Sequence, residues 1–495
     1  MSELSRRNVL KGLAAGVTVV GWSSLDRSWV AAGARDLAGV AVLPPLDGTV
    51  ETTPEVLAGF AGDFGRLVTG TPTVVLRPGS VQDIVKMVRY ARRHRLRIAM
   101  NGQSGTAGEF ESHSNYGQAS APGGIAIDAR GLSTIHAIDA TVADVDAGVT
   151  WAQLTDAAAV TGRTPPMLTD FLHLSIGGTL SVGGTGGTMQ RAGAQVDNVT
   201  ELQVVTGEGE LVTCSPWRHP VLFNAVLAGA GQCAIIVRAT VELVPAATHA
   251  LVFNLFYDDL DTYIADQLVV VGDGRFHYQE GQIVRRPDDS GWRYMMEVAY
   301  YYTPPAAPDQ VALLAGLSDD RPAAVVTNPT YAEWAHRVDP AVAALKDAGF
   351  WAQPHPWLSL FVPASRTAEF IGWVVSQLTP ADLGAGLATF FPIKTAKLTR
   401  PLLVVPRSES VAFQLSLLRF PFPGHPDIPG MLTQNRAFHD QAVALGGKRY
   451  VIGAVPDVTT RDWRRHYGAL WPLFKAAKEH YDPDGVLTPG QGIFT

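Results

Sequence analysis

Residues 169–190, TDFLHLSIGGTLSVGGTGGTMQ, decide how the rest of the chain is read. Glycine has no Cβ and takes positive φ at little cost, so a run this rich in it exposes backbone N–H groups and lets several converge. Converging N–H groups form a nest that suits phosphate oxygens. Asp170 and His173 stand at the entrance. The stretch is expected to grip a pyrophosphate-bearing cofactor and to set an acid/base group beside it. A flexible linker is the plain alternative. Leu172, Leu174, Ile176, Leu180 and Val182 recur through the run, and Gly/Ser linkers lack apolar residues placed so regularly.

Around this stretch lie 495 residues, too many for one ordinary core, so two domains are expected. With 46% hydrophobic and 17% charged residues, the composition is that of a packed protein and not a disordered one. A net charge of −7 without a basic block argues against nucleic acid as a partner. Two cysteines, Cys214 and Cys233, are too few for a disulfide framework or a zinc site. Both fall in apolar, strand-like segments and read as buried free thiols. At the N-terminus, Ser5-Arg6-Arg7-Asn8-Val9-Leu10-Lys11 precedes the weakly apolar run GLAAGVTVVGW. This fits a twin-arginine export signal over residues 1–35 and implies a periplasmic or extracellular protein. The run is too short for a permanent span, so the mature protein is expected to carry none.

Upstream of the glycine stretch, residues 72–79 read as a strand. Ser80 then caps a helix with Ile84, Val85, Val88 and Ala91 on one face, and residues 97–100 form the next strand. No GxGxxG follows the first strand, so a nicotinamide-type Rossmann fingerprint is missing where it would be needed. The loop over residues 101–119 is dense in Gly, Ser and Asn, as backbone approaching a ligand is. His113 within it is a candidate ligand, base or attachment point. Short β segments fill 124–149, and Thr150 caps a helix ended by Gly162. Downstream, 202–206 and 210–214 form a hairpin across Gly207–Gly209, Phe223–Leu227 is helical, and Ala234–Val244 alternates as a half-buried strand does. After Pro245-Ala246-Ala247 the texture changes. Strand-like LVFNLFY, RYMMEVAYYY, LSLFVP, LLVVP and FQLSLLRF alternate with helical DTYIADQLVVV, TAEFIGWVVSQL and DPAVAALKDAG, which suggests a sheet with one helical face. Phe276–Gly281 reads as a charged turn, and Trp463–Tyr481 as one amphipathic helix.

Four groups of segments then resemble the cytokinin dehydrogenases (cytokinin oxidases), within the vanillyl-alcohol oxidase / p-cresol methylhydroxylase-type FAD-binding superfamily. They are HSNYGQASAPGG (113–124), the glycine stretch itself, AQVDNVTELQVVTGEGELVTCSP (194–216) with LFNAVLAGAGQCAIIVRATVELVP (222–245), and HPWLSLFVP (355–363) with DPDGVLTPGQGIF (482–494). The resemblance implies an α+β fold in two domains. An FAD-binding domain would occupy 50–245 and an antiparallel, helix-backed substrate domain 246–440, with a return to the first over 441–495. It implies that His113 holds the flavin covalently, with Gly102, Ser104, Ser114, Gln118 and Ala119 beside it. Ser175, Gly178, Ser181, Thr185, Ile235 and Ile236 would line the cofactor, and Tyr450, Thr488 and Gln491 would close over it. Asp170 matches the catalytic aspartate, and Glu280 matches an acidic residue that bonds the purine. His173 receives no catalytic part.

The implied activity is FAD-dependent oxidation of a secondary amine, such as the N6 side chain of a cytokinin, to an imine and then to aldehyde plus adenine. Oxygen or a quinone would be the electron acceptor. A carboxylate in hydrogen-bond reach of the amine suits this chemistry because the N–H proton must leave. Two departures are visible. Residues AGEFES (107–112) separate the loop glycines from His113, and an alternative register puts Gly105 at the histidine position, leaving the flavin unlinked. The substrate half diverges more than the first half. An oxidase of an alcohol, sugar or secondary metabolite and a non-catalytic flavin-binding exported protein are the alternatives.

Overall fold

The computed structural model describes residues 19–23, 28–31, 41–102, 114–424 and 427–494. The chain builds three substantial sheets. In the first, Val74–Arg77, Ile125–Asp128 and Ile98–Asn101 run parallel, with Thr49–Glu51 antiparallel at the edge. Parallel neighbours need a crossover, and the helix Val81–His94 supplies it, burying Ile84, Met87, Val88 and Ala91. Ser80 precedes this helix without a side-chain cap bond. Asp83 in the first turn instead ties the helix to the chain before it, accepting N–H groups of Gly79, Asp47 and Gly48 at 2.9, 2.8 and 2.7 Å.

The second sheet is antiparallel, in the order Leu211–Cys214, Val199–Thr206, Ala234–Glu242, Val142–Asp146, Ile135–Ile138. Its central strand Ala234–Glu242 alternates in sequence, yet both of its faces are covered. Ile235 and Val237 join the core of the first sheet, while Ile236 joins a separate core with Trp151 and Phe223. Cys214 and Cys233 are free and buried, and burial pushes both thiols up to about 12.

The third sheet has eight antiparallel strands: Val325–Thr327, His249–Tyr257, Trp292–Tyr302, Tyr278–Arg285, Leu387–Lys394, Val411–Leu418, Leu358–Pro363 and Lys448–Arg449. The helices Leu260–Asp273, Thr367–Gln377 and Ile428–Ala444 pack on one face over Phe253, Met296, Phe390 and Phe413. Three sequence readings change here. Phe276–Gly281 is no turn, because a central strand begins at Tyr278. Leu402–Val405 is buried but takes no strand. Trp463–Tyr481 breaks at Gly468, whose φ is +54°, into helices Thr460–Tyr467 and Trp471–Tyr481.

Val244–Pro245 still pairs with Arg163–Thr164, and His249–Tyr257 opens the eight-stranded sheet. The joint expected at 440/441 falls inside the helix Ile428–Ala444, and Lys448–Arg449 still pairs with Leu360 and Phe361. The chain then returns to the first sheet, where the N–H groups of Ile98 and Thr488 donate to Val486 and Ile98 carbonyls at 2.9 Å each. The Arg6-Arg7 motif lies outside the described residues, and among those described no helix is long and apolar enough to cross a membrane.

Candidate active site

A cavity of about 660 Å³ separates the glycine stretch from the uncovered face of the eight-stranded sheet. On the first side it is lined by Gly102, Ser114, Gln118, Ala119, Ser175, Gly178, Ser181, Thr185, Ile235, Ile236, Tyr450 and Thr488. Ser104 and His113 lie outside the described residues. Gln491 does not line the cavity. It braces the wall from behind, donating to the Val451 and Asn115 carbonyls at 2.9 and 3.4 Å.

The glycine stretch folds into a short helix, Ile176–Leu180, with Ser175 at its N-cap position. Its backbone N–H groups were expected to form a nest, and several of them are instead bonded within the protein. Ile176 and Gly177 donate to the carbonyls of Val149 and Ala147 at 2.8 Å each, and Gly184 donates to the Tyr450 hydroxyl at 2.9 Å. Glycine is needed for close approach. A Cβ on Gly177 would stand 2.7 Å from the Ala147 Cβ, and one on Gly184 2.0 Å from Gln195 Oε1. The Ser181 hydroxyl turns back to the Gly177 carbonyl at 2.7 Å, and Ser114 turns to Asp63 at 3.2 Å.

This wall fits FAD on its own evidence. Asn115 Oδ1 and Gln118 Oε1 on this side, and Gln414 Oε1 across the cavity on the strand Val411–Leu418, are buried without a hydrogen-bond partner among the described residues. Leaving such atoms unpaired is costly, so a ligand with donors belongs there. Ile235, Ile236 and Leu174 beside them offer an apolar surface, the mixture a large planar cofactor requires.

Opposite stands a charged cluster. Asp170 Oδ1 accepts from Arg337 Nη2 at 2.5 Å and from the Tyr278 hydroxyl at 3.1 Å. The same guanidinium nitrogen reaches the Tyr278 oxygen at 2.6 Å, and Arg337 Nε lies 3.4 Å from Glu297 Oε1. Glu280 lines the same cavity beside Asp170. Glu280 and Glu297 are direct neighbours across adjacent strands, a pairing that repels when both are charged. Burial, with the Asp170 charge added, holds the Glu280 carboxyl well above the ordinary carboxylate range, and burial raises Glu297 in the same sense. Glu280 was expected in a turn. It sits instead on a central strand, 5% exposed.

Glu297 and Arg337 escaped the sequence reading. Glu297 hides in the apolar alternation of RYMMEVAYYY, where one carboxylate in an otherwise covered strand was the available signal. Arg337 follows the short helix Tyr331–Ala335 and carries no motif. His173 takes part in a different network. Its Nε2 meets Asp339 Oδ2 at 3.1 Å, His336 Nδ1 meets the same oxygen at 2.9 Å, and His336 Nε2 meets Asp156 at 3.0 Å. This chain ties the glycine stretch to the segment that bears Arg337.

Comparison with known proteins agrees with this geometry. Residues 72–215 match the family described as FAD binding domain, and residues 286–494 match that described as cytokinin dehydrogenase 1, FAD and cytokinin binding. The chain is 36% identical over 446 residues to an uncharacterized oxidoreductase, ORF5 in the fasciation locus, of Rhodococcoides fascians, covering 90% of this chain and 99% of that one. It is 34% identical over 492 residues to cytokinin dehydrogenase 10 of Oryza sativa subsp. japonica, covering 90% and 88%. It is 33% identical over 483 residues to cytokinin dehydrogenase 2 of Arabidopsis thaliana, covering 90% and 93%. With its FAD-binding α+β fold, its glycine-lined wall and its buried carboxyl cluster, this chain belongs to the cytokinin dehydrogenase family of FAD-dependent oxidoreductases.

Proposed function

We propose that the protein oxidises the secondary amine of an N6-substituted adenine of the cytokinin type, giving an imine that water splits into an aldehyde and adenine. One observation carries this reading. Asp170 and Glu280 line one cavity, and burial with the nearby Asp170 raises the Glu280 carboxyl well above the ordinary carboxylate range. FAD, when bound, supplies the acceptor for the hydride that leaves the carbon next to nitrogen. Asp170 accepts a hydrogen bond from the amine N–H and takes its proton. Glu280, carrying its own proton, donates to a ring nitrogen and so orients the purine. Val338, Val342, Leu345, Trp351 and Phe420 line an apolar end of the cavity that suits a short alkenyl chain. His113 is proposed as the covalent flavin link, and Ser104 as its neighbour. Gly102, Gln118, Ala119, Ser175, Gly178, Thr185, Ile235, Ile236, Tyr450 and Thr488 are proposed as the cofactor's protein surroundings.

The deciding experiment is anaerobic titration of the purified flavoprotein with isopentenyladenine, adenine, simple alcohols and sugars. Bleaching of the flavin colour by isopentenyladenine alone is expected. Bleaching by an alcohol or sugar and not by isopentenyladenine overturns the substrate assignment. Reoxidation followed with oxygen and with a quinone then identifies the acceptor. Flavin colour that stays with acid-precipitated wild-type protein and washes out of His113→Ala tests the link. Export by the twin-arginine route, proposed from residues 5–22, is checked by whether Arg6→Lys/Arg7→Lys keeps the protein inside the cell.

A further inference from the structure

We infer that Arg337 is a positioning residue for this reaction: it fixes the orientation of the Asp170 carboxylate. The inference rests on the reading of Asp170 as proton acceptor. Among the described residues, the titratable groups facing the guanidinium are Asp170 from the glycine stretch, Tyr278 and Glu280 from one strand, Glu297 and Tyr301 from the next, and Tyr331 from the short helix. Three carboxyls therefore share one cation. Arg337 touches Asp170 at 2.5 Å and Glu297 only at 3.4 Å, so its closest contact sets the Asp170 carboxylate in place. Burial raises both Glu280 and Glu297, and Arg337 opposes that shift in each.

Arg337 is itself held rigidly. Its guanidinium lies 4.0 Å from the Trp334 ring centroid and 4.8 Å from that of Tyr278, and its Nη1 donates to the Trp334 carbonyl at 3.2 Å. Trp334 is fixed by its Nε1 bond to the Tyr301 hydroxyl at 3.0 Å, and its helix starts from a Thr330/Glu333 capping box. A planar fork stacked on two aromatic rings sets an angle for Asp170 that an ammonium cannot reproduce.

The test compares wild type, Arg337→Met and Arg337→Lys in the flavin-loaded protein. Two quantities are read across pH: the rate of flavin bleaching by the donor that reduces wild type, and the dissociation constant of a non-oxidisable ring analogue, followed by perturbation of the flavin spectrum. Removing the cation shared by the carboxyl cluster disfavours the charged forms that it lowers, so the alkaline-rising limb of the rate profile should move to higher pH in Arg337→Met. The rate at neutral pH should fall about 10- to 100-fold, part of what a positioned base contributes, and added guanidinium should restore part of it. Arg337→Lys keeps the charge and should lose rate without that displacement. A profile of Arg337→Met superimposable on wild type overturns the inference, as does a profile of Arg337→Lys displaced as far as that of Arg337→Met. Failure of amines to reduce wild type overturns the proposed function instead, so the two failures are distinct.

Discussion

Gly184 and Glu297 line opposite sides of the same cavity, and they tolerate opposite kinds of change. Around Gly184 the Gln195 side chain, from Cβ to Oε1, leaves no room for one further carbon. Around Glu297 the shape is that of an ordinary strand, and what is constrained is charge: two glutamates face each other and one arginine serves three carboxyls. Binding of a large cofactor is carried by side chains that are absent. The charged cluster is set largely by side chains on the sheet, Glu280 and Glu297 among them. Asp170 joins the two, because it comes from the glycine stretch and ends in the charged cluster.

The largest break in this comparison comes from Gly184→Val. Its φ is +72°, and a Cβ there would meet Gln195 Oε1, Cδ and Cβ at 2.0, 2.6 and 2.7 Å. Backbone strain of about 1–3 kcal/mol adds to the clash. Purified Gly184→Val should lose most of its flavin absorbance relative to protein absorbance and melt at lower temperature. Full flavin content at an unchanged midpoint would remove the packing argument for this wall. Next in size is Asp170→Asn, which keeps the shape and deletes the base. Flavin content should remain while stopped-flow reduction slows by about 10²- to 10⁴-fold, the usual contribution of a positioned acid/base group. A rate within twofold of wild type would take Asp170 out of the reaction.

How much of this was legible before folding follows the same division. The glycine wall could be read because its device is compositional: nothing but glycine satisfies such close approach, so the run at 177–187 announces itself. The helix after Ser80 and the strand Ala234–Glu242 were legible from periodicity, although periodicity could not say that both faces of that strand would be covered. The charged wall was hidden because it is assembled across the chain. Glu280 and Glu297 meet through strand register, and Arg337 reaches them from a loop 167 positions after Asp170. Phe276–Gly281 misled because polar residues beside aromatics look like a turn, whereas here they alternate along a strand, Glu280 lining the cavity and Gln279 bonded to Gln267 on the helix behind the sheet. Leu402–Val405 misled in the other direction, since an apolar run fills core as readily without a ladder of hydrogen bonds. His113 falls outside the described residues, so its assignment rests on the motif alone.

The two smaller predictions use pH to separate the charged wall from the aromatic packing behind the other one. Glu280 has its folded-state pKa raised above the ordinary carboxyl value of 4.5 by burial and by Asp170. For a carboxyl shifted this way, stability is fully present below that ordinary value and is lost as pH rises through the folded one. Glu280→Gln cannot ionise, so its thermal midpoint should decline less than wild type as pH rises on the alkaline side; parallel curves would mean that Glu280 ionises freely in the fold. His355 works in the opposite sense. It is fully buried, its ring is stacked 4.1 Å from Phe64, its Nδ1 lies 2.6 Å from the Phe64 carbonyl, and burial pushes it down to about 4 from 6.5. A histidine kept neutral by folding leaves stability intact above 6.5 and removes it as pH falls from 6.5 towards 4, at about 1.4 kcal/mol per pH unit at most. His355→Gln should therefore start from a lower midpoint at pH 7, having lost the stack, and should fall less steeply than wild type between pH 6.5 and 4. A wild-type midpoint that stays flat over this acid window would show His355 already protonated in the native state, and would place the acid sensitivity of the fold elsewhere.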